Sequence, residues 1–512
     1  MTIKEISSVG NILVSAKDRY PDKIAITDAV YELTYEELYI KSIILSSYLI
    51  DNHSISSNSV VGFLVQNSVE FVLIHFAIQF SGAVSVPLDP EIKFNYLNQC
   101  AKIANIDVVI VKNIETFKQN KEAIQNEPIF KFVDFEYITE LLETPMVTCV
   151  ERLSALSKHR IKTNETASYM FTTGSTGIPK GVILKQSNVI QALSNIIEFI
   201  GYSNDDSELI TLPLSHNFGI GHLYCNLVVG GTSYLSDGIT NFNLLFELLR
   251  KNKPTGFPGT PSGFNFLTKM FPKKLSECRS FLKFIVINSE KCPPSLVKKL
   301  TSLLPDTEII IYYGLTEASR STFIKFDRDT EDYYLDSSGK SSPNVDIKIV
   351  NEDFSNAENN HEGRVAIKGN HLAEGYLGEN IVFNKHNDYL VTDDIGYLDN
   401  DDYLFLTGRV STFINKGGLK IDPKEVEAII RDIDIIKDVA VIGIDDEISG
   451  EKICVCYVSD MSREKVEEFI IQACSTKLEK LKIPDVFVCV DYIPKNKTGK
   501  LLQQELRKKV SF

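Results

Sequence analysis

The chain alternates two hydrophobic rhythms. Between 35 and 50 the apolar side chains recur at helical spacing, with Leu38, Leu45 and Leu49 on one face and the small Ser42 between them. Thr34 and Glu37 have the spacing of a capping box, so a helix is predicted to start there. The run 60–65 reads as a strand, 69–80 as a helix and 83–87 as another strand. That order is a βαβ unit, which implies a parallel sheet. The alternation continues to about 320, with a strand at 284–287 followed by a helix at 294–304, and predicts a doubly wound α/β body. The most apolar span, 71–88, contains His75, Gln79, Ser81, Gly82 and Pro87. It reads as a buried helix and strand rather than a membrane span.

The rhythm then changes. From 336 to 406 short strands at 345–350, 363–368 and 403–406 alternate with turn residues, the pattern of a small β-rich subdomain. After Gly408 the α/β pattern restarts, with strands at 439–444 and 453–458 and a helix at 462–477 opened by Ser462 with Glu464 in its first turn. The predicted architecture is α/β, with a large N-terminal domain over 1–408 and a small C-terminal α+β domain over 409–512. A chain of 512 residues is long enough for each to bury a core.

Composition narrows the class. An apolar content of 43% is that of an ordinary globular protein. A net charge of -14 argues against nucleic acid as a general partner. The nine cysteines show neither a CxxC pair nor zinc-ligand spacing, and Cys454 and Cys456 alternate as core residues of a strand. Such scattered thiols, with no apolar leader in residues 1–10, predict a reduced cytoplasmic protein.

The chemistry is concentrated first in FTTGSTGIPKG, 171–181. A short strand at 167–171 and a helix at 187–200 are expected on either side of a flexible loop. Backbone N–H groups and the hydroxyls of Thr172, Thr173, Ser175 and Thr176 suit phosphate oxygens, and Gly174 and Gly177 remove Cβ atoms that would block their approach. Pro179, Lys180 and Gly181 exclude a Walker loop, in which glycine precedes the lysine and Ser or Thr follows it. GIGHLY at 219 lacks the final glycine of a dinucleotide fingerprint, which argues against an oxidoreductase.

Five further motifs follow in order: LPLSHNFG at 212–219, YYGLTE at 312–317, VTDDIGYLDNDDYLFLTGR at 391–409, NKGGLKIDPKEVE at 415–427 and IPKNKTGKL at 493–501. With the phosphate loop, they resemble the adenylate-forming superfamily of acyl-CoA synthetases, peptide-synthetase adenylation domains and luciferases, over nearly the whole chain. The resemblance implies activation of a carboxylic acid with ATP and Mg²⁺, release of pyrophosphate, and transfer to the phosphopantetheine thiol of CoA or of an acyl carrier protein. It implies that the threonines, Ser175 and Lys180 hold the β/γ phosphates. It places Glu317, with Thr176, at Mg²⁺, Thr316 and Tyr313 at the nucleotide with Tyr313 stacked on adenine, Asp394 at the ribose hydroxyls and Arg409 at the ribose or α-phosphate. Lys500 would bridge the substrate carboxylate and the α-phosphate from a mobile C-terminal domain. Charge builds on phosphate oxygens in this reaction, so positioning and cationic neutralisation suit it.

For the acyl group the resemblance points to 216–222, 259–263, 288–290 and 315–321, with His216 at the tunnel, Phe218, Gly259, Ser289, Glu290 and Leu315 in the walls, and Gly417 and Gly418 on a flexible loop that admits the thiol arm. Phe218, Phe264 and Leu315 favour an apolar or aromatic acid. Asn217 stands where amino-acid-activating relatives carry an ammonium-pairing Asp, which argues against a standard α-amino acid, although Glu290 offers another amine contact. A non-catalytic nucleotide-binding scaffold is the alternative of another class; intact Lys500, Glu317 and Asp394 speak against it. Three departures stand out. Asp393 replaces the glycine of a Thr-Gly-Asp, placing a charge beside the nucleotide. Ser411 and Thr412 replace the Lys-Asp of the hinge. Ile311 replaces an Asn near the adenine.

Overall fold

The computed structural model describes residues 3–92, 94–112, 130–133, 135–155, 164–173, 179–238, 241–289, 291–327, 329–378, 383–409, 413–494 and 503–510. The helix Tyr35–His53 starts at the predicted capping box, and both of its bonds form. The Glu37 N–H donates to Thr34 Oγ1 at 3.2 Å and the Thr34 N–H to Glu37 Oε2 at 2.9 Å. The helix Val69–Ser81 is buried on every side and ends at Gly82, whose φ of 79° suits a residue without a Cβ. The flanking strands Val60–Leu64 and Val84–Leu88 pair in parallel, Val60 opposite Val84, which completes the βαβ unit.

Two large sheets form the N-terminal domain among the described residues. One has nine strands, in the order Lys340–Ser341, Thr322–Phe326, Glu308–Tyr313, Phe284–Ile287, Gly256–Gly259, Ser207–Ile210, Thr232–Leu235, Ile24–Thr27 and Glu32–Thr34. The other has seven: Gly375–Tyr376, Pro179–Lys185, Thr166–Thr173, Val84–Leu88, Val60–Leu64, Val108–Val111 and Lys131–Val133. Side-chain alternation separates the cores. Ile285, Ile287, Ile309 and Ile311 point to one face of the first sheet, while Val286, Ile310 and Tyr312 point to the other. This second face joins Val61, Phe63 and Met170 of the second sheet in one core, with the helices Val9–Arg19, Tyr35–His53, Val69–Ser81 and Asn217–Val229 between them. Ile311, the apolar departure from the motif, is a core residue here.

One element differs from the sequence reading. The strand Pro179–Lys185 lies between the phosphate loop and the helix Gln186–Ile200, antiparallel to Thr166–Thr173. Its Val182 and Leu184 are buried, so the segment pairs as half of a hairpin rather than running as open loop. A third sheet, built on Val345–Val350, Gly363–Gly369 and Tyr389–Leu398, is the expected β-rich subdomain.

Among the described residues the smaller C-terminal domain is a five-stranded sheet that includes Asp438–Asp446 and Gly450–Val458, with the helices Pro423–Arg431 and Arg463–Lys477 against it. Cys454 and Cys456 sit in its core, as their alternation suggested. Among the described residues no helix is long and apolar enough to cross a membrane.

Candidate active site

The site gathers at the carboxyl ends of parallel strands, where open α/β sheets leave a crevice. The strand Glu308–Tyr313 runs into a tight turn. The Leu315 N–H donates to the Ala318 carbonyl, and the Ser321 N–H to that of Tyr313. Gly314 is required there, because a Cβ would lie 2.6 Å from the Arg320 nitrogen and 2.9 Å from the Ala318 oxygen. This turn presents Thr316 and Glu317 on one side and leaves Tyr313 on the other.

Glu317 meets the phosphate hairpin through a residue that the motifs did not single out. Tyr376 donates its phenol to Glu317 Oε1 at 2.6 Å, and Lys180 Nζ lies 5.5 Å from the centre of the Tyr376 ring. Tyr376 is held there because Gly375–Tyr376 pairs antiparallel with Pro179–Lys185, Tyr376 opposite Val182. Lys180 in turn stands opposite Thr172. A hydroxyl, a cation and a carboxylate thus share one corner, a donor set that fits a nucleotide's phosphates and a hard divalent cation.

On the other side of the turn, Tyr313 donates its phenol to Asp394 Oδ2 at 2.7 Å, and both residues are buried. The Asp394 N–H donates to Thr392 Oγ1 at 3.1 Å. The neighbouring Asp393 is held by Arg364 Nη2 at 2.9 Å. The extra charge feared beside the nucleotide is therefore paired. Arg409 stands opposite Asp394 in the ladder to the strand Leu404–Arg409.

Of the residues expected on the acyl side, His216 and Phe218 lie at the start of the helix Asn217–Val229. His216 is its N-cap residue. Solvent reaches this side chain, yet the surrounding protein lowers its pKa by desolvation, against an opposing pull from Asp89. Phe218 packs edge-on against Tyr312 and His222, with ring centres 5.6 and 5.3 Å away. Ser289 follows the strand Phe284–Ile287 at φ 89°, its N–H bonded to Asn288 Oδ1. Gly259 ends the adjacent strand, where a Cβ would meet Phe264 at 2.8 Å. Phe264 itself is fully buried against Phe257, in the core behind the sheet.

Gly417 and Gly418 do not form an open loop. They are the two-residue turn of the hairpin joining Ile414–Lys416 to Leu419–Ile421, with φ of 59° and 85°. Positive φ at both positions is the signature of a type I′ turn. Gly174, Ser175, Thr176, Gly177, Glu290, Ser411, Thr412 and Lys500 lie outside the described residues; Thr173 and Arg409 are placed by their backbones alone.

Sequence reasoning missed Tyr376 and Arg364. Neither carries a local motif, and only strand pairing brings them to the site.

This arrangement defines an adenylate-forming enzyme, and comparison with known proteins agrees. The model of the AMP-binding enzyme family matches residues 13–377, and that of the AMP-binding enzyme C-terminal domain matches 425–500. The chain belongs to the AMP-binding enzyme family and is an AMP-forming acid–thiol ligase. It is similar to the putative acyl-CoA synthetase YngI of Bacillus subtilis (strain 168), 24% identical and covering 98% of this chain and 97% of that protein. It is similar also to 4-coumarate–CoA ligase 1 of Arabidopsis thaliana, at 26% identity over 89% and 84% of the two chains. Among solved structures, a double mutant of o-succinylbenzoate CoA synthetase from Bacillus subtilis superposes with a TM-score of 0.82 at 22% identity, covering 97% of each chain.

Proposed function

We propose that the chain activates a carboxylic acid with a largely apolar or aromatic body as its acyl-adenylate, then passes it to the thiol of CoA. The observation that carries this reading is the turn 313–317. It supports a phosphate and metal corner at Glu317, Tyr376, Lys180 and Thr172 on one side, and a ribose acceptor at Asp394 on the other. Glu317 would hold Mg²⁺ together with phosphate oxygens and Thr176. Asp394 offers two acceptor oxygens to two ribose hydroxyls. Lys500 would neutralise charge between the carboxylate and the α-phosphate as the acyl–phosphate bond forms and pyrophosphate leaves.

The same reading assigns 1–408 and 409–512 to two domains that move relative to one another. The C-terminal cores draw only on residues from Ile414 onward. Polar contacts join the domains: Lys269 Nζ pairs with Glu447 Oε2 at 2.6 Å, and Lys482 Nζ lies 5.6 Å from the Tyr96 ring centre. Polar contacts of this kind favour relative motion over a fixed interface.

The test is pyrophosphate release over aliphatic, aromatic and amino acids, followed by transfer to CoA or to a loaded carrier protein. Activity with amino acids alone would overturn the substrate class, and transfer to a carrier protein but not to CoA would overturn the acceptor.

A further inference from the structure

The strongest unexplained feature is Arg320. It is 1% exposed and heads the largest fully buried side chains of the described structure. Its backbone sits at φ 63°, a left-handed conformation that a residue with a Cβ rarely adopts. The guanidinium reaches the helix Asn217–Val229 at Gly221, where a Cβ would stand 1.8 Å from Nη2. Its Cζ lies 5.6 Å from the centre of the Tyr312 ring. Nη1 donates to Ser319 Oγ at 2.7 Å, but Nε and Nη2 have no hydrogen-bond partner among the described residues. Arginine carries five N–H donors, and leaving them unmet in a buried place is costly.

Arg320 lines a cleft with Thr316, Val189, Ala192, Leu193 and Gly221. Thr316, in the turn after the strand Glu308–Tyr313, shares this small cleft with the guanidinium, and Asn217 and His371 line it as well. A balancing charge is already near. Glu208 is fully buried and, with Arg320, acts electrostatically on Tyr312, whose phenol burial pushes up to about 12. Yet the carboxylate of Glu208 is spent elsewhere, accepting from Tyr202 at 2.7 Å and Asn226 at 2.7 Å and lying 3.0 Å from His222 Nδ1. What the guanidinium lacks is therefore a hydrogen-bond acceptor rather than a counter-charge.

We propose that Arg320 is a specificity-determining residue that receives an oxygen at the far end of the acyl group. The substrate is then a short carboxylic acid with an apolar body and a second oxygen acceptor, a carbonyl, a hydroxyl or a second carboxylate. Gly221 is the partner that makes room, and Arg320 closes the cleft behind the acyl chain. This inference rests on the adenylation reading and sharpens its substrate class.

The experiment measures acid-dependent pyrophosphate exchange with the full-length enzyme on matched acids: hexanoate, 5-oxohexanoate and adipate, then benzoate, 4-acetylbenzoate and terephthalate. The oxo and dicarboxylic arms separate a neutral acceptor from an anionic one. The expected result is a kcat/KM at least about tenfold higher for an oxygenated acid than for its plain partner. Arg320→Met should erase that ratio, since a hydrogen bond to a charged group is worth about 10- to 100-fold. Arg320→Lys should restore part of it. Gly221→Ala, which keeps Arg320 but displaces its guanidinium, should erase it too, and this variant decides the matter if Arg320→Met fails to fold. Plain acids used as well as oxygenated ones, or equal loss for both in Gly221→Ala, would overturn the inference and leave adenylation standing. Exchange with no acid at all would overturn the adenylation reading and this inference with it.

Discussion

Tyr313 and Asp394 come from different sheets, yet the Tyr313 phenol donates to Asp394 Oδ2 at 2.7 Å in a buried setting. The residue expected to offer its ring to adenine thus also aims the carboxylate expected at the ribose. The two roles separate by substitution. Tyr313→Phe keeps the ring and loses the donor, and should weaken ATP binding about tenfold through the lost charge-assisted bond. Tyr313→Ala should weaken it further. Asp394→Ala removes the acceptor itself and should cost about 2–4 kcal/mol of nucleotide binding. Titration calorimetry with ATP reads all three; equal affinity in wild type and Tyr313→Phe would remove the aiming role.

Tyr376 supports Glu317 while its ring faces Lys180. Tyr376→Phe should leave the ring in place and free the carboxylate. The Mg²⁺ concentration for half-maximal adenylation is expected to shift several-fold at saturating ATP. Glu317→Gln should lower the rate about 100-fold or more. An unchanged Mg²⁺ profile in both variants would move the metal away from Glu317.

Lys500→Ala should cripple adenylate formation while ATP still binds, because the cation acts on charge that develops during transfer. The comparison is between single-turnover adenylation and nucleotide affinity. Near wild-type adenylation of a verified substrate would refute the assigned role.

Thr412→Pro and Gly418→Leu should spare pyrophosphate release and suppress thioester formation. The first restricts the proposed hinge. The second adds bulk to a tight turn at φ 85°. Gly417→Asn is the control, since Asn accepts the φ of 59° found there and suits a type I′ turn. Half-reactions measured separately decide it, and equal loss of both would argue against alternation.

Two buried histidines predict acid lability. His75 lies between Ser85 Oγ at 2.9 Å and the Tyr224 phenol at 2.6 Å, and burial lowers its pKa to about 3. Burial lowers that of His371, bonded to Ser321 Oγ at 2.9 Å, to about 4. Below about 6.5 the unfolded chain takes up protons at these sites and the folded chain does not, so stability falls as pH drops from 6.5 toward 4. Over that interval each site is worth up to about 3 kcal/mol of the loss. Urea unfolding at pH 7 and pH 5 should show His371→Asn losing less stability over the interval than wild type. An equal loss would place the acid sensitivity elsewhere.

Sequence by itself determined the elements and most of the chemistry. Capping at Thr34 and Glu37 and the βαβ unit across 60–88 are local, set by spacing and backbone sterics, so they can be read along the chain. Glu317, Tyr313 and Asp394, the residues proposed to meet the nucleotide, could be singled out because each sits in a compact motif. Tertiary structure decided what those residues touch. Lys180 lies on a strand rather than in open loop because Pro179–Lys185 pairs with Thr166–Thr173. Tyr376 reaches Glu317, Arg364 neutralises Asp393, and Arg320 lies across Gly221 with donors unmet. These contacts join residues far apart in sequence. Their energies depend on burial and on which neighbours already hold the available acceptors, and neither is written in any local pattern.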